Sequence, residues 1–413
     1  MLAKKYPLGF WATMNAQNAA PTDPDDWAAM GMSLTLGHLY ADGATDKAVF
    51  RAMLDRAYQN GVQIILSDNR AQAGILMAKG EEAYRRNIRA ILADWGDHPA
   101  VWGVAIGDEP HKEQYPAFLC AIRMWRQEKP EWMPYANQLP FFPGTEWAVG
   151  EETWGAYLDK FLRETDLPYL SYDCYTQMNP YPDSWDIYFT NLKTYGDAAK
   201  RANKEFWTIL LSVPHFKYRD PSLDDIRWQF HTALACGAKG ISWFYLYQQE
   251  LWISNYRNAP INQLGRKTEK YQYISDVQNI FRRTLDTTLY PLTLADVYFT
   301  GHTFGGFPLL TDNDMLASNN DSDMILSLWD DPNDKTYRYL LAVNNSCTES
   351  VNYTVKLKAD EIDELLTEGH WRSMNGLLWD DGQVERTETV TSLPHWYAPG
   401  QAVLYRFKPR AKQ

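Results

Sequence analysis

Short apolar runs alternate with amphipathic segments over the first two-thirds of the chain. Eight of these runs are rich in β-branched and aromatic residues and are bounded by turn-forming residues, which is typical of buried strands. They are Pro7–Met14, Met32–Leu39, Val62–Ser67, Val101–Ile106, Trp132–Gln138, Tyr169–Tyr175, Phe206–Val213 and Gly240–Tyr247. The pattern predicts eight strands of similar length.

The segments between these runs have helical periodicity. Asp46–Gln59 places Val49, Met53 and Ala57 on one face, for example. The other predicted helices are Asp25–Met30, Glu81–Trp95, Pro116–Gln127, Thr153–Glu164, Ser184–Ala202, Asp225–Cys236 and Lys267–Arg283. Strands that alternate with helices indicate parallel βαβ units, and eight such units predict a (β/α)8 barrel. A doubly wound open sheet is the alternative, but it usually has fewer strands, and no GxGxxG motif follows the first strand.

The pattern changes after residue 288. The remaining residues, 289–413, are rich in Thr, Asn and Asp and contain short strand-like runs, whereas Ala359–Leu366 alone has a helical pattern. The strand-like runs are Met324–Leu328, Tyr337–Val343, Val351–Leu357 and Ala402–Phe407. We therefore predict an α/β chain in which a (β/α)8 TIM barrel at 1–288 is followed by a C-terminal all-β sandwich domain at 289–413.

Composition narrows the possible partners. The net charge is −12 and no run of Lys and Arg interrupts the acidic balance, which argues against nucleic acid and anionic membranes. The sequence has no apolar stretch of membrane-spanning length. The chain contains 17 Trp, 26 Tyr and 16 Phe, a supply of flat rings that suits a carbohydrate ligand.

The cysteines and the N-terminus bear on the compartment. Cys120, Cys174, Cys236 and Cys347 form no CxxC pair, so no zinc ribbon or dithiol motif is predicted. The first residues lack the apolar segment of a signal peptide. We expect a bacterial protein that is periplasmic or at the cell surface if a signal has been removed, and cytoplasmic otherwise. No cofactor is predicted, and no oligomeric state is indicated.

Barrel enzymes carry their reacting groups at the C-terminal ends of the strands, so the ends of the predicted strands provide candidates. Carboxylates, amides and aromatic rings dominate there, which suits a polyhydroxylated ring. The predicted catalytic residues are Glu109, Asp173 and Glu250, and the predicted substrate-binding residues are Trp11, His38, Asn69, Asn137, Tyr175, His215, Trp243 and Tyr245.

Glu109 is the strongest candidate. Strict alternation puts Gly103, Ala105, Gly107 and Glu109 on one face of the fourth strand. We expect this small face to line the barrel and Glu109 to point into its mouth. Asp108 would then lie on the opposite face in a supporting role. A structural salt bridge at the rim is the alternative for Glu109.

Asp173 is the second candidate, because it shares the more polar face of the sixth strand with Ser171 and Tyr175. Its alternative role is to orient a neighbouring Tyr or Arg. Two carboxyl groups at one barrel mouth are the requirement for glycoside hydrolysis, in which one protonates the leaving oxygen and the other attacks or activates water. The acid must stay neutral near pH 7 through burial or a nearby second charge.

Several short motifs resemble the large clan of (β/α)8-barrel glycoside hydrolases, including its β-galactosidase-like members with a C-terminal β-sandwich. GVAIGDEP resembles their acid/base strand, and GAKGISWFYLY resembles their eighth strand. NQLGRKTEKYQYISDVQNI resembles their last helix segment, and WYAPGQAVLYRF resembles the last strands of their sandwich. The resemblance implies a glycosidase that hydrolyses the O-glycosidic bonds of an oligo- or polysaccharide, with Glu109 as general acid/base.

One departure from this pattern is at the end of the seventh strand. The clan carries its nucleophilic Glu there, whereas this chain has Ser212, Val213, Pro214 and His215. The second carboxylate must then be Asp173 or Glu250, or else Asp68, and retention or inversion of configuration stays open. The missing Glu also motivates an alternative, a catalytically inactive barrel that binds carbohydrate.

Two further hydrolase classes have little support in the sequence. A metal-dependent barrel hydrolase needs convergent His ligands, but the eight His are scattered and no HxH or HExxH motif occurs. A serine hydrolase of the GxSxG type is equally unsupported, because that motif is absent. No metal site is therefore predicted.

Overall fold

The structure, a computed structural model, describes residues 5–11, 20–180, 184–248, 255–374, 377–378 and 382–410. The chain divides into two compact units. The first comprises Pro7–Asp220 and Lys239–Gln278, and the second comprises Met1–Tyr6, Pro221–Ala238 and Asn279–Gln413. These units are discontinuous in sequence and differ from the predicted domains, which have one boundary after residue 288. The reason is that the helical segment within 221–238 packs with the C-terminal strands.

The first unit contains eight parallel strands within the described residues. They are β1 (Leu8–Trp11), β2 (Leu34–Tyr40), β3 (Gln63–Asp68), β4 (Val101–Asp108), β5 (Met133–Asn137), β6 (Tyr169–Asp173), β7 (Glu205–Leu211) and β8 (Gly240–Phe244). They form two sheets, in the orders β1-β8-β7-β6 and β2-β3-β4-β5. The N–H of Ser33 donates to the carbonyl of Leu8 at 2.9 Å, and the N–H of Gln138 donates to the carbonyl of Ser171 at 2.8 Å. These hydrogen bonds join the two sheets into a closed barrel.

Helices follow most of the strands, as a βαβ chain requires. They are α1 (Asp23–Ala29), α2 (Lys47–Gln59), α3 (Ala73–Trp95), α4 (Tyr115–Glu128), α5 (Trp154–Thr165), α6 (Ser184–Ala202), α7 (Leu223–Ala235), α8 (Glu269–Thr284) and α9 (Asp286–Leu289). The starts of α2 and α5 are capped by side chains, since Asp46 and Thr153 accept hydrogen bonds from backbone N–H groups of the first turn. The sequence pattern thus locates the predicted helices to within a few residues. Within α3 the backbone of Gly80 is non-helical (φ +78°), so the predicted helix Glu81–Trp95 corresponds to the part of α3 after this kink.

Stacked aromatic rings fill the lower part of the barrel. The rings of Tyr169 on β6 and Trp207 on β7 lie 4.3 Å apart and nearly parallel. Trp102 on β4 contacts both rings, at 6.1 and 5.7 Å, and Tyr135 on β5 stacks on Tyr169 at 6.1 Å. Because these side chains come from four strands and contact one another, they lie inside the barrel. They fill the space below the polar residues at the strand ends.

Two antiparallel sheets form most of the second unit. One has the order β14-β13-β19-β11-β10-β9, another has the order β12-β18-β17, and β15 pairs with β16. The strands are β9 (Thr293–Phe299), β10 (Met324–Asp330), β11 (Arg338–Asn344), β12 (Val351–Leu357), β13 (Ala359–Thr367), β14 (His370–Ser373), β15 (Leu377–Leu378), β16 (Gly382–Gln383), β17 (Glu385–Arg386), β18 (Thr391–Tyr397) and β19 (Ala402–Pro409). Apolar side chains of both larger sheets share one core, which includes Leu326 and Tyr405 from the first sheet and Val355 and Leu393 from the second. The arrangement is the predicted sandwich.

The helix predicted at Ala359–Leu366 is wrong, because these residues form β13. The Ala, Glu and Leu content favours a helix, but β13 pairs antiparallel with β19 and β14. Cross-strand ion pairs join Asp363 to Arg406 at 2.9 Å and Glu364 to Arg372 at 2.6 Å. Pairing with two neighbours and burial of Ile362 outweigh the local helical preference.

The predicted fold class is confirmed, since a parallel α/β barrel is followed by an antiparallel β domain. Among the helices that the structure describes, none combines the length and apolar character needed to cross a bilayer.

Gly400 gives a direct test of the packing in the second unit. Its φ is +64°, and a Cβ there would lie 2.4 Å from both the Cα and the N of Trp228 on α7. We expect Gly400→Ala to lower the free energy of unfolding of this unit by about 2–4 kcal/mol, through backbone strain plus overpacking. Urea unfolding followed by tryptophan fluorescence measures the change.

Gly369 is the matched control in the same unit, because its φ is +72° but a Cβ there would meet nothing within 4 Å. Gly369→Ala should lower the free energy of unfolding only through backbone strain, by about 1–2 kcal/mol. Equal losses in the two variants would contradict the close approach of Trp228 to Gly400.

Candidate active site

The end of β4 departs from the alternation that the sequence predicts. Its register against β5 shifts between Ala105 and Gly107. At Gly107 (φ +151°) a Cβ would point toward α4 and would lie 2.4 Å from the Phe118 ring. The expectation that Gly107 lines the barrel is therefore not met, and the shift brings Asp108 into register with Asn137. Glu109 follows with a φ of +44°.

Asn137, at the end of β5, connects two carboxyl groups. Its Nδ2 donates to Oδ1 of Asp173 at 2.7 Å and to Oδ1 of Asp108 at 3.1 Å. Asp108 therefore faces the same site as Asp173. Strict alternation along β4 predicts the opposite face for Asp108, and this prediction is wrong. The parallel strands β4, β5 and β6 thus bring three of the predicted strand-end side chains into contact.

The carboxyl groups of Glu109 and Asp173 act on each other, because the charge of Asp173 contributes to the raised pKa of Glu109. Burial and the charge of Asp173 also raise the pKa of the Tyr175 hydroxyl. Since two like charges in one buried site disfavour each other, the arrangement favours a proton on one of the two acids.

The proton belongs on Glu109. Burial raises the pKa of Glu109 to about 9, and the charges of Asp173 and Asp108 add to the shift. The pKa of Asp173 is also raised by burial, but the hydrogen bond from Asn137 opposes that shift. At pH 7 Glu109 is therefore neutral.

Asp108 is the third carboxyl group of the site. Its side chain reaches solvent, yet surrounding protein and the charge of Asp173 raise its pKa to about 7, against the hydrogen bond from Asn137. A negative Asp108 in turn raises the pKa of Glu109. The site thus holds a protonated acid, an acceptor and a nearby charge that keeps the acid protonated.

Aromatic side chains line the neighbouring strand ends. Tyr175 stacks on Phe244 at 5.4 Å, and its ring edge faces His215 at 5.8 Å. His215 stacks on Tyr256 at 4.8 Å, and burial lowers its pKa, so it is neutral at pH 7. Its Nδ1 donates to the carbonyl of Val213 at 2.9 Å, which leaves Nε2 as an acceptor. A neutral imidazole with an aromatic surround therefore follows β7, where the resemblance would place a nucleophilic Glu.

The three aromatic residues that were predicted to stack on a sugar differ in their exposure. Trp11 is partly exposed and, like Phe244 and Tyr256, packs against a buried cluster of Val213, Tyr245 and Ala259. Trp243 and Tyr245 are completely buried, with 0% exposure, so neither offers a ring face to a ligand. Their positions on β8 and directly after it turn them into the protein interior.

Two further candidates lie outside the carboxyl cluster. His38 is buried, its Nε2 contacts Asp23 at 2.8 Å, and its ring lies 5.0 Å from that of Tyr247. Asn69 is exposed, and its Oδ1 accepts from the N–H of Asp42 at 3.3 Å. Neither prediction of substrate binding gains support from these contacts. Glu250 lies outside the described residues.

Two residues that the strand-end rule missed support the site from below. Ser171 on β6 donates to Oδ1 of Asn137 at 3.1 Å, and Tyr135 on β5 contacts Ser171 Oγ at 2.8 Å. Each lies two residues before a predicted site residue, Asp173 and Asn137. The period of two along a strand could have found them.

Comparison with known proteins defines the fold and leaves the family open. No protein-family model matches the chain, and no curated protein matches it. Solved structures do match. One is a β-galactosidase from Rahnella sp. R3, with a TM-score of 0.53, 12% identity, and 72% of this chain and 58% of that chain covered.

Two other similar structures are also β-galactosidases. The enzyme from Marinomonas ef1 has a TM-score of 0.50 and 11% identity, with 67% of this chain and 59% of that chain covered. The enzyme from Bacillus circulans sp. alkalophilus has a TM-score of 0.50 and 12% identity, with 69% and 57% covered. The chain spans less than two-thirds of the length of each of the three. The fold is therefore that of the (β/α)8-barrel glycoside hydrolases, and the low identity extends the likeness no further.

Asp108 tests the electrostatics of the site. Asp108→Asn removes a negative charge beside Glu109, so we expect the pKa of Glu109 to fall by about one unit. A pH titration of the Glu109 carboxyl carbon by NMR measures the shift.

The control is Asp97→Asn, which makes the same charge change just before the opposite end of β4, where Asp97 is 75% exposed. It should leave the Glu109 titration unchanged. The same shift in both variants would mean that net charge, and not the proximity of Asp108, sets the pKa of Glu109.

Proposed function

We propose that this protein is a glycoside hydrolase that cleaves the O-glycosidic bonds of an oligo- or polysaccharide, with Glu109 as general acid/base. The observation that carries the proposal is a group of three carboxyl groups at the ends of neighbouring barrel strands, in which Asn137 joins Asp108 to Asp173 and Glu109 has a pKa of about 9. Glycoside hydrolysis needs one carboxyl group that can give a proton and a second that acts on the opposite side of the bond.

The steps follow from the protonation states. A glycosidic oxygen accepts the Glu109 proton, and the bond to the leaving group breaks as that oxygen is protonated. The Asp173 carboxylate attacks the anomeric carbon or takes a proton from the attacking water. The charge of Asp108 supports the acid by keeping Glu109 protonated at neutral pH.

The surrounding side chains fit a sugar ring. Asn137 and Tyr175 present an amide and a hydroxyl beside the carboxyl groups. Trp11, Phe244 and Tyr256 offer partly exposed ring faces at neighbouring strand ends. We propose that they contact the substrate, together with Nε2 of His215 as an acceptor for a hydroxyl group.

The second candidate function is a barrel that binds carbohydrate without cleaving it. One observation favours it: the segment after β7 presents His215 where a nucleophilic Glu is expected from the resemblance. Oligosaccharide binding by calorimetry without release of reducing ends would establish this function over hydrolysis.

Glu109→Gln tests the assignment of the acid. Removal of a positioned general acid should lower the hydrolysis rate about 10²–10⁴-fold, because the amide cannot donate a carboxyl proton. The rate is measured as the release of reducing ends from a panel of oligosaccharides, with circular dichroism to confirm folding.

Glu113→Gln is the matched control, since Glu113 is an exposed residue of the same segment and pairs only loosely with Lys112, at 3.9 Å. It should keep the wild-type rate. Full activity in Glu109→Gln would refute the role of Glu109.

The pH dependence gives an independent test. The active form needs Glu109 protonated, so hydrolysis should decline tenfold per pH unit as the pH rises through its pKa of about 9. In Asp108→Asn this alkaline decline should begin at lower pH, because the pKa of Glu109 falls. Initial rates between pH 5 and 10.5 measure both profiles, and identical alkaline limbs would contradict the role of Asp108.

A further inference from the structure

We propose that Ser171 and Tyr135 are positioning residues that orient the Asn137 amide, so that both of its N–H bonds point at Asp108 and Asp173. The inference rests on the proposed function, because it assigns a task to residues that act on the carboxyl groups only through Asn137. It extends the site one layer deeper into the barrel.

Five side chains form one continuous network of hydrogen bonds. The Tyr135 hydroxyl lies 2.8 Å from Oγ of Ser171, and that Oγ lies 3.1 Å from Oδ1 of Asn137. Nδ2 of Asn137 then lies 2.7 Å from Asp173 and 3.1 Å from Asp108. Tyr135, Ser171 and Asn137 are buried, with at most 5% exposure, so water competes little for these contacts.

The number of donor hydrogens on each group determines the direction of each hydrogen bond. A hydroxyl has a single proton, and Ser171 donates its proton to Oδ1 of Asn137, since that oxygen can only accept. Ser171 Oγ must then accept from the Tyr135 hydroxyl. The two protons of the Asn137 amide remain, and each goes to a carboxylate oxygen.

The orientation of the amide matters because its two ends have nearly the same shape. A flipped Asn137 would turn Oδ1 toward two carboxylate oxygens, which repels, and Nδ2 toward Ser171. The carboxylates and the Ser171 hydroxyl therefore favour the same orientation from opposite sides. Without the hydroxyl, Oδ1 of Asn137 is a buried acceptor with one partner fewer, and the orientation is held from one side only.

A correctly oriented amide acts on both carboxyl groups together. Hydrogen bonds to a carboxylate favour its charged form, and the bonds from Asn137 lower the pKa of Asp173 and of Asp108 against the effect of burial. Ser171 and Tyr135 thus favour the charged forms of Asp173 and Asp108 indirectly, through the orientation of Asn137.

The variants are Ser171→Ala, which removes the middle link, and Tyr135→Phe, which removes the first hydroxyl but keeps the ring. Two matched controls lose a comparable buried hydroxyl away from Asn137. Ser212→Ala loses a 3.0 Å hydrogen bond to the carbonyl of Tyr245, and Tyr169→Phe loses a 2.9 Å hydrogen bond to the carbonyl of Pro134 within the same ring stack.

The readout is the pH titration of the carboxyl carbons of the full-length protein labelled with 13C-aspartate. We expect Ser171→Ala to raise the pKa of Asp173 and Asp108 by about half a unit to one unit, and Tyr135→Phe to raise them less. Ser171→Thr should restore the wild-type values, because it keeps the hydroxyl. Neither control should move either aspartate.

Unchanged aspartate titrations in Ser171→Ala and Tyr135→Phe would overturn the proposal, as would equal shifts in the controls. If Ser171→Ala does not fold, Tyr135→Phe decides alone, since it changes no packing. Where the protein hydrolyses a glycan, the acid limb of its pH profile should move upward with the aspartate pKa values. If the protein has no hydrolytic activity, the titration still tests the orientation of Asn137. Failure of this proposal is therefore distinguishable from failure of the proposed function.

Discussion

Two carboxyl groups in one largely buried site disfavour each other's charge, and this constraint organises the barrel mouth. Burial and the charge of Asp173 keep the proton on Glu109, while the hydrogen bond from Asn137 favours the charged form of Asp173. The same physical effect that would destabilise a pair of ionised acids prepares one to donate a proton and the other to accept. Most other features of the first unit hold these two groups together or shape the space beside them.

The barrel supports the pair from below and from the side. Stacked rings of Tyr135, Tyr169 and Trp207 fill the lumen, and the hydroxyl of Tyr135 begins the hydrogen-bond chain that ends on the aspartates. On β4 the missing side chain of Gly107 admits the ring of Phe118, which lets the strand turn Asp108 inward. Aromatic packing and polar chemistry thus share the same strands, with packing at the base and chemistry at the ends.

The apolar pattern predicted all eight barrel strands and eight helices, because buried strands and amphipathic helices have different periods. It failed at Ala359–Thr367, where pairing with two distant strands overrides helical propensity. Among the site residues, the rule that strand ends meet at one mouth anticipated the contact between Asn137 and Asp173 that the structure shows. It also proposed His38 and Trp243, whose side chains are buried, because the rule locates the Cα and not the direction of the side chain.

The sequence by itself determined the order of the elements, the change from barrel to sandwich, and a set of polar residues at strand ends, since each depends on local periodicity. Tertiary structure alone decided which of these residues touch. Three features depend on residues far apart in the chain: the register shift in β4 that brings Asp108 beside Asn137, the hydrogen bonds from Asn137 to Asp108 and Asp173, and the burial that raises the pKa of Glu109 and Asp173. Local sequence cannot encode a protonation state, because that state is a property of the assembled environment.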